Sequence, residues 1–228
     1  MGRNPCLQTQ EIFFLSYLLG MLKLGFMASG GGSNFQAILN RIADGSLQGV
    51  SPEFLISNNS KCGAVEKAQA AGVAVRHVSS VTHPGPGLAE QEILRIIQDS
   101  QIDLLVLAGY MKKIPDAVIA LLPDRIINIH PALLPSFGGP GHWGHHVHEA
   151  VVAAGARVSG ATVHFVDGDY DHGKIIAQRA IPLSSEDTPD QVAAKVLVQE
   201  HDLYWRVVKA FAEGRVQIRA GRVICDVV

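Results

Sequence analysis

Three short stretches of the 228-residue chain hold side chains that can do chemistry together. In Ile126-Ile127-Asn128-Ile129-His130-Pro131, the period of two along a strand sets Asn128 and His130 on one face, and Pro131 ends the ladder just beyond them. With the isoleucines turned to a core, an amide donor and an imidazole point out of the carboxyl end of a sheet, where α/β proteins bind ligands. Such a pair suits acyl-type transfer. The amide donates to a developing oxyanion, and a protonated imidazole adds a stronger donor or a proton. The bland alternative is a histidine that only satisfies a buried carbonyl.

The second stretch, Leu24-Gly25-Phe26-Met27-Ala28-Ser29-Gly30-Gly31-Gly32-Ser33-Asn34, reads as a strand entering a glycine turn and then a helix. Glycine lets backbone approach an anion, Ser33 and Asn34 can cap the helix, and its free N–H groups and dipole attract phosphate. It is neither a Walker loop nor a dinucleotide fingerprint, since no Lys-Ser/Thr follows and Phe35 stands where a last glycine belongs. A turn needing glycine only for shape is the alternative. The third stretch, Asp167-Gly168-Asp169-Tyr170-Asp171-His172-Gly173, is an acidic loop. It reads as a solvated turn, a cation site without EF-hand spacing, or a partner that raises an imidazole pKa. Seven of the ten histidines fall between 130 and 172, which raises a zinc hydrolase as a competing reading. His145 and His148 are spaced i,i+3, yet there is no HExxH and no evident third ligand, so we expect no metal.

These stretches need elements to hold them. From Leu22 onward short apolar runs alternate with helical periods, the pattern of a doubly wound, mostly parallel α/β sheet with a Rossmann-like first half. Strands are expected at Leu22–Ala28, Glu53–Ser57, Val73–Val78, Asp103–Ala108, Ile126–His130, Ser159–Val166 and Ile175–Pro182. Helices are expected at Ser33–Ala43, Cys62–Ala71, Leu88–Asp99, Pro115–Leu122, His146–Ala154 and Pro189–Glu213. The organisation reads as an extension over 1–21, one domain over 22–214 with halves at 22–123 and 124–214, and a hairpin-like tail over 215–228.

Composition narrows the function. With 47% hydrophobic and 18% charged residues the chain can bury a core without staples. A formal charge of −2 and no long basic run argue against nucleic acid or an anionic membrane as partner. The apolar run Ile12–Met21 is too short to span a bilayer, which takes about 20 residues. Cys6, Cys62 and Cys225 are scattered and odd in number, as suits a reducing, cytoplasmic setting.

Taken in order, these segments resemble the glycinamide ribonucleotide formyltransferases. Met27–Ile38 is similar to the family's phosphate loop, and Asn128–Phe137 to its catalytic strand. Gly160–Val166 with Asp171–Gln178 is similar to its folate and aspartate segment, and Leu107–Met111 and Gln199–His201 also match. The resemblance implies formyl transfer from 10-formyltetrahydrofolate to the amine of 5′-phosphoribosylglycinamide, in purine biosynthesis, with Asn128, His130 and Asp171 as catalytic trio. Asn128 and His130 are then expected to stabilise the tetrahedral oxyanion and Asp171 to hold His130 protonated. It further implies Gly32, Ser33, Asn34 and Glu200 on the ribonucleotide, and Met111, Lys112, Lys113, Ile114 and Asn128 on the folate. Small-molecule partners and a monomer or homodimer follow. A basic folate-side residue is missing from Thr82–Ala89, and the loop Gly138–His148 is long and rich in histidine. Other folate-dependent formyl enzymes share the trio, so it identifies the reaction before the acceptor.

Overall fold

A computed structural model describes residues 20–227; the apolar run before them, Cys6 and the expected extension lie almost wholly outside that range. The strands are β1 (Leu22–Met27), β2 (Val50–Ser57), β3 (Ala74–His77), β4 (Leu104–Leu107), β5 (Ile126–His130), β6 (Val158–Phe165), β7 (Ile175–Pro182), β8 (Gln217–Arg219) and β9 (Arg222–Ile224). The helices are α1 (Ser33–Ala43), α2 (Gly63–Ala70), α3 (Leu88–Ser100), α4 (Asp116–Leu121), α5 (His145–Ala153) and α6 (Pro189–Ala212). Seven strands form one sheet in the order β3-β2-β1-β4-β5-β6-β7. Pairing is parallel as far as β5 and antiparallel for β6 and β7, so the sheet is mixed.

Alternation along the central strands builds two cores. Leu24, Phe26, Leu104, Val106, Ile127 and Ile129 pack on one face with α1, α2, α5 and α6. Met27, Leu105, Leu107 and Ile126 pack on the other with α3 and α4. Asn128 and His130 therefore share the parity of Ile126, as the sequence pattern requires, and lie at the end of β5.

Strand β2 begins three residues earlier than its pattern suggests and includes Pro52. The reason is local. Pro52 pairs with Leu24 of β1, whereas β3 joins only from Phe54, so no ladder bond on the outer side needs the missing N–H. Helix α6 starts where Thr188 and Gln191 form a capping box, with Pro189 in the first turn. Behind the site, the buried Tyr204 hydroxyl lies 2.8 Å from the Leu107 carbonyl and 3.1 Å from that of Ile127, tying α6 to the ends of β4 and β5. The tail forms the β8–β9 hairpin, whose Ile218 and Val223 pack on the larger core.

Candidate active site

Asn128, His130, Asp171, the Gly30–Asn34 turn, Met111 and Glu200 line one cleft of about 860 Å³ at the carboxyl ends of β1, β4 and β5. Gly30–Asn34 form one wall, Asn128 and His130 the floor, the 139–145 loop a second wall, and Ala193 and Glu200 of α6 a third. A narrower slot of about 60 Å³ opens beside it, lined by Lys112, Lys113, Ile114, Asn128, His164 and the 166–171 loop. Met111, grouped with the slot from sequence, lines the larger cleft instead.

His130 is 4% exposed and held from two sides. Its Nε2 is 2.7 Å from the carbonyl oxygen of Phe137, and its Nδ1 is 3.5 Å from Asp171 Oδ2. A carbonyl only accepts, so Nε2 carries the proton and Nδ1 is the nitrogen free to gain one. The histidine thus satisfies a buried carbonyl, as the bland alternative has it, and turns its other nitrogen to a carboxylate. The expectation that Asp171 holds His130 protonated needs correction. Burial lowers the imidazole pKa and outweighs the raising effects of Asp171 and the Phe137 carbonyl.

Asp171 is held by backbone as well as side chains. Its φ is +55°, its Oδ2 accepts the Gly139 N–H at 2.9 Å, and its Oδ1 lies 3.6 Å from His164 Nε2. Burial works to raise its pKa, but the His164 and His130 imidazoles and the Gly139 N–H together lower it below the usual value. Gly138 explains why the loop can come so close. A Cβ there would collide with Leu134 Cδ2 and sit 3.2 Å from Asp171 Cβ.

His164 belongs to this group, although sequence spacing alone gave it no role. Its Nδ1 donates to the Phe165 carbonyl at 2.7 Å, so Nε2 accepts from Asn128 Nδ2 at 3.2 Å. An amide NH₂ has two donors, leaving the second Asn128 hydrogen for a ligand. Thr162 and Gln178 were missed in the same way. The Thr162 hydroxyl donates to Ala132 O at 2.7 Å and accepts from Leu134 N and Gln178 Nε2, while Gln178 also donates to Leu134 O. These residues hold the chain leaving β5 beneath the trio. In the sequence they stood only inside the segments that resemble the family's folate and aspartate stretch, with no role of their own.

The glycine turn departs from expectation in its cap. The N-cap of α1 is Gly32, left-handed at φ +69°, and neither Ser33 nor Asn34 caps the helix with its side chain. Gly32 is required twice over, because a Cβ would also come within 2.7 Å of Ala64 Cβ. Asn34 instead hydrogen-bonds Glu200, whose carboxyl is pushed up to about 7 by burial, partly offset by that bond. Ser29 anchors the turn, donating to Asn58 Oδ1 at 2.6 Å and accepting the Met111 N–H at 3.0 Å. Phe35 packs on Phe26, ring centroids 4.8 Å apart, so the missing third glycine is a core aromatic. Asp167 and His172 of the acidic loop pair with each other at 2.8 Å. Among the described residues no group of three His, Cys, Asp or Glu is placed to hold a metal ion.

The sequence profile of the formyl transferase family matches residues 22–208, which takes in every part of this cleft. A phosphoribosylglycinamide formyltransferase of Arabidopsis thaliana, named as chloroplastic, is 43% identical over 198 residues, 86% of this chain and 68% of the relative. The Escherichia coli enzyme of the same name is 31% identical over 192 residues, 84% of this chain and 88% of the relative. The chain belongs to the phosphoribosylglycinamide formyltransferases. Among solved structures, glycinamide ribonucleotide transformylase 1 from Symbiobacterium toebii superposes with a TM-score of 0.82 at 35% identity, covering 90% of this chain and 95% of that one. Family membership accounts for the fold found here, a single α/β domain with a mostly parallel sheet. No helix among the described residues is long and apolar enough to cross a membrane.

Proposed function

We propose that this formyltransferase moves the formyl group of 10-formyltetrahydrofolate to the amine of 5′-phosphoribosylglycinamide, with Asn128, His130 and Asp171 carrying the chemistry. The observation that carries the reading is the pairing of a free Asn128 donor with a basic His130 Nδ1 that faces Asp171. The amine attacks the formyl carbon, and the carbonyl electrons move to oxygen, where the second Asn128 N–H donates to them. His130 Nδ1 takes the proton that the amine loses, and Asp171 stabilises the imidazolium so formed. The C–N bond to the folate then breaks as that proton passes to the leaving nitrogen. His130 thus enters as a base and leaves as an acid, a sharper role than oxyanion donor.

Gly32, Ser33 and Asn34 are proposed to hold the substrate phosphate at the N-terminus of α1, which lines the cleft and has no side-chain cap. Glu200, close to half-ionised near neutral pH, suits a ribose hydroxyl because it can accept or donate a hydrogen bond. Lys112, Lys113, Ile114 and Asn128 in the slot, with Met111 in the larger cleft, are proposed to take the folate. Scattered cysteines suit a reducing compartment, and we place the protein in the cytoplasm.

The test is a formyl-transfer assay with both substrates, beside His130→Ala and a no-acceptor control. Acceptor-dependent loss of the formyl group that vanishes in the variant supports the reading. Loss without acceptor indicates a hydrolase of formyl-folate, and no loss indicates another acceptor.

A further inference from the structure

Resting on the reading of the acceptor as a ribosyl phosphate, we propose that Lys67 of α2 supplies the positive charge that meets the substrate's phosphate at the glycine turn. Among the described residues the lining of the cleft contains neither Lys nor Arg, while Asp171 and Glu200 are both part of it. A doubly charged phosphate drawn into such a cleft meets two carboxyl groups, and one helix N-terminus sets only about half an elementary charge against it. The four imidazoles of the lining aside, a fixed positive charge can come only from beside it.

Helix α2 brings Lys67 there. The Ala64 N–H donates to the Gly30 carbonyl at 3.1 Å, and a Cβ on Gly32 would come within 2.7 Å of Ala64 Cβ, so the first turn of α2 is held against the glycine turn. Lys67 lies four residues after Gly63, and a helical side chain leans back over the turn N-terminal to it. Its Nζ is accordingly 3.5 Å from where a Gly63 Cβ would be, and that same point is 3.1 Å from Gly31 O and 3.4 Å from Gly31 Cα. Gly31 lines the cleft. Gly63 has no left-handed φ to account for it, so what this glycine provides is room: the turn closes on α2, and no Gly63 side chain stands between the Lys67 ammonium and Gly31. Lys67 is also uncommitted. Lys113, Lys174, Lys195 and Lys209 each face a carboxylate within 3.8 Å, whereas among the described residues the Lys67 ammonium has neither an ion pair nor a hydrogen bond. Glu66, its neighbour in sequence, projects from another side of the helix. Lys67 is half-buried, and its flexible four-carbon stem lets the free ammonium advance past Gly63 towards a phosphate seated on Gly32, Ser33 and Asn34.

The test compares Lys67→Met with the parent protein, since Met keeps an aliphatic stem and removes the charge. Titration calorimetry with 5′-phosphoribosylglycinamide and with ribose 5-phosphate reads the affinity for each phosphate. Both affinities are expected to fall about ten-fold in the variant, and their dependence on salt to flatten. In steady-state formyl transfer KM for the ribonucleotide rises by a similar factor with kcat within about two-fold, while kcat/KM for the unphosphorylated riboside stays within about two-fold. That last readout separates a charge for the phosphate from a merely structural role. Melting temperatures establish that the variants fold, and Lys23→Met, near the start of β1 and away from the cleft, controls for net charge. Phosphate affinities within two-fold of the parent in Lys67→Met, an equal loss with the riboside, or the same loss in Lys23→Met overturns the proposal. If the ribonucleotide fails to bind but ribose 5-phosphate binds the parent and loses affinity in Lys67→Met, the role of Lys67 stands and the acceptor assignment falls. If neither phosphate binds the parent, both fall.

Discussion

The trio and the glycine turn sit in one cleft but are built on opposite plans. Around the trio, side-chain atoms are spoken for: Asn128 to His164, His130 to Phe137 and Asp171, and Asp171 to Gly139. At the turn, Gly30–Gly32 offer only backbone, and α1 lacks a side-chain cap. The difference follows from what each must do. Groups that handle a proton need fixed tautomers and distances before substrate arrives, whereas groups that hold an anion need unoccupied N–H donors. The trio is therefore expected to fail in turnover when altered, and the turn in binding.

The largest expected effect is at His130. His130→Ala should lower kcat by about 10²–10⁴-fold while KM for the ribonucleotide moves little, as steady-state kinetics will show. Asp171→Asn should act in the same direction, because it removes the charge that sustains the imidazolium. A rise in KM with normal kcat in either variant breaks the comparison. At the turn, Gly32→Ala meets both a left-handed φ and Ala64, and should raise the ribonucleotide KM about ten-fold or more and lower the melting temperature, with the smaller change in kcat.

The pH profile sharpens the contrast. His130 must be neutral to accept a proton, and burial lowers its folded pKa, so the acid limb of kcat/KM should have its midpoint below the ordinary imidazole value of about 6.5. A midpoint above 7 would count against the base role.

Stability should show two opposed slopes. His148, depressed to about 4, favours the folded state above about 6.5, and that contribution is lost as pH falls towards 4. Glu200, raised to about 7, makes the folded state bind the extra proton, so stability falls as pH rises from about 4.5 to 7. The two cancel between about 4.5 and 6.5, giving a plateau in melting temperature that Glu200→Gln should turn into a rise. Smallest is Thr188→Ala at the far end of α6, which removes the capping box and should cost about 1 kcal/mol by denaturant unfolding without touching kcat.

Much of this was legible in the chain. The boundaries of β5 and β7 match the sequence pattern residue for residue, and α1 and α6 agree to within one residue, because amphipathic period, Pro189 and the apolar runs are local signals. Asn128 and His130 could be paired because strand alternation fixes their common face. What could not be read was every partner across the sheet. His164 meets Asn128 because β6 runs antiparallel to β5 in the register Asn128↔His164. Thr162 reaches Ala132 and Leu134 through the same pairing, His130↔Thr162. The cap of α1 went wrong for a related reason: Ser33 and Asn34 have the right chemistry, but the left-handed Gly32 beside Ala64 takes the cap position and Glu200 claims the Asn34 side chain.

The sequence by itself determined the elements, their order, the glycine turn and the face shared by Asn128 and His130, since each depends on spacing within one segment. Tertiary structure alone decided the protonation states. The nitrogen of His130 that holds its proton is set by Phe137 and Asp171, 7 and 41 residues away, and the raised pKa of Glu200 and the neutral His148 are set first by burial. Charge is a property of the surroundings in space, and spacing along the chain does not specify it.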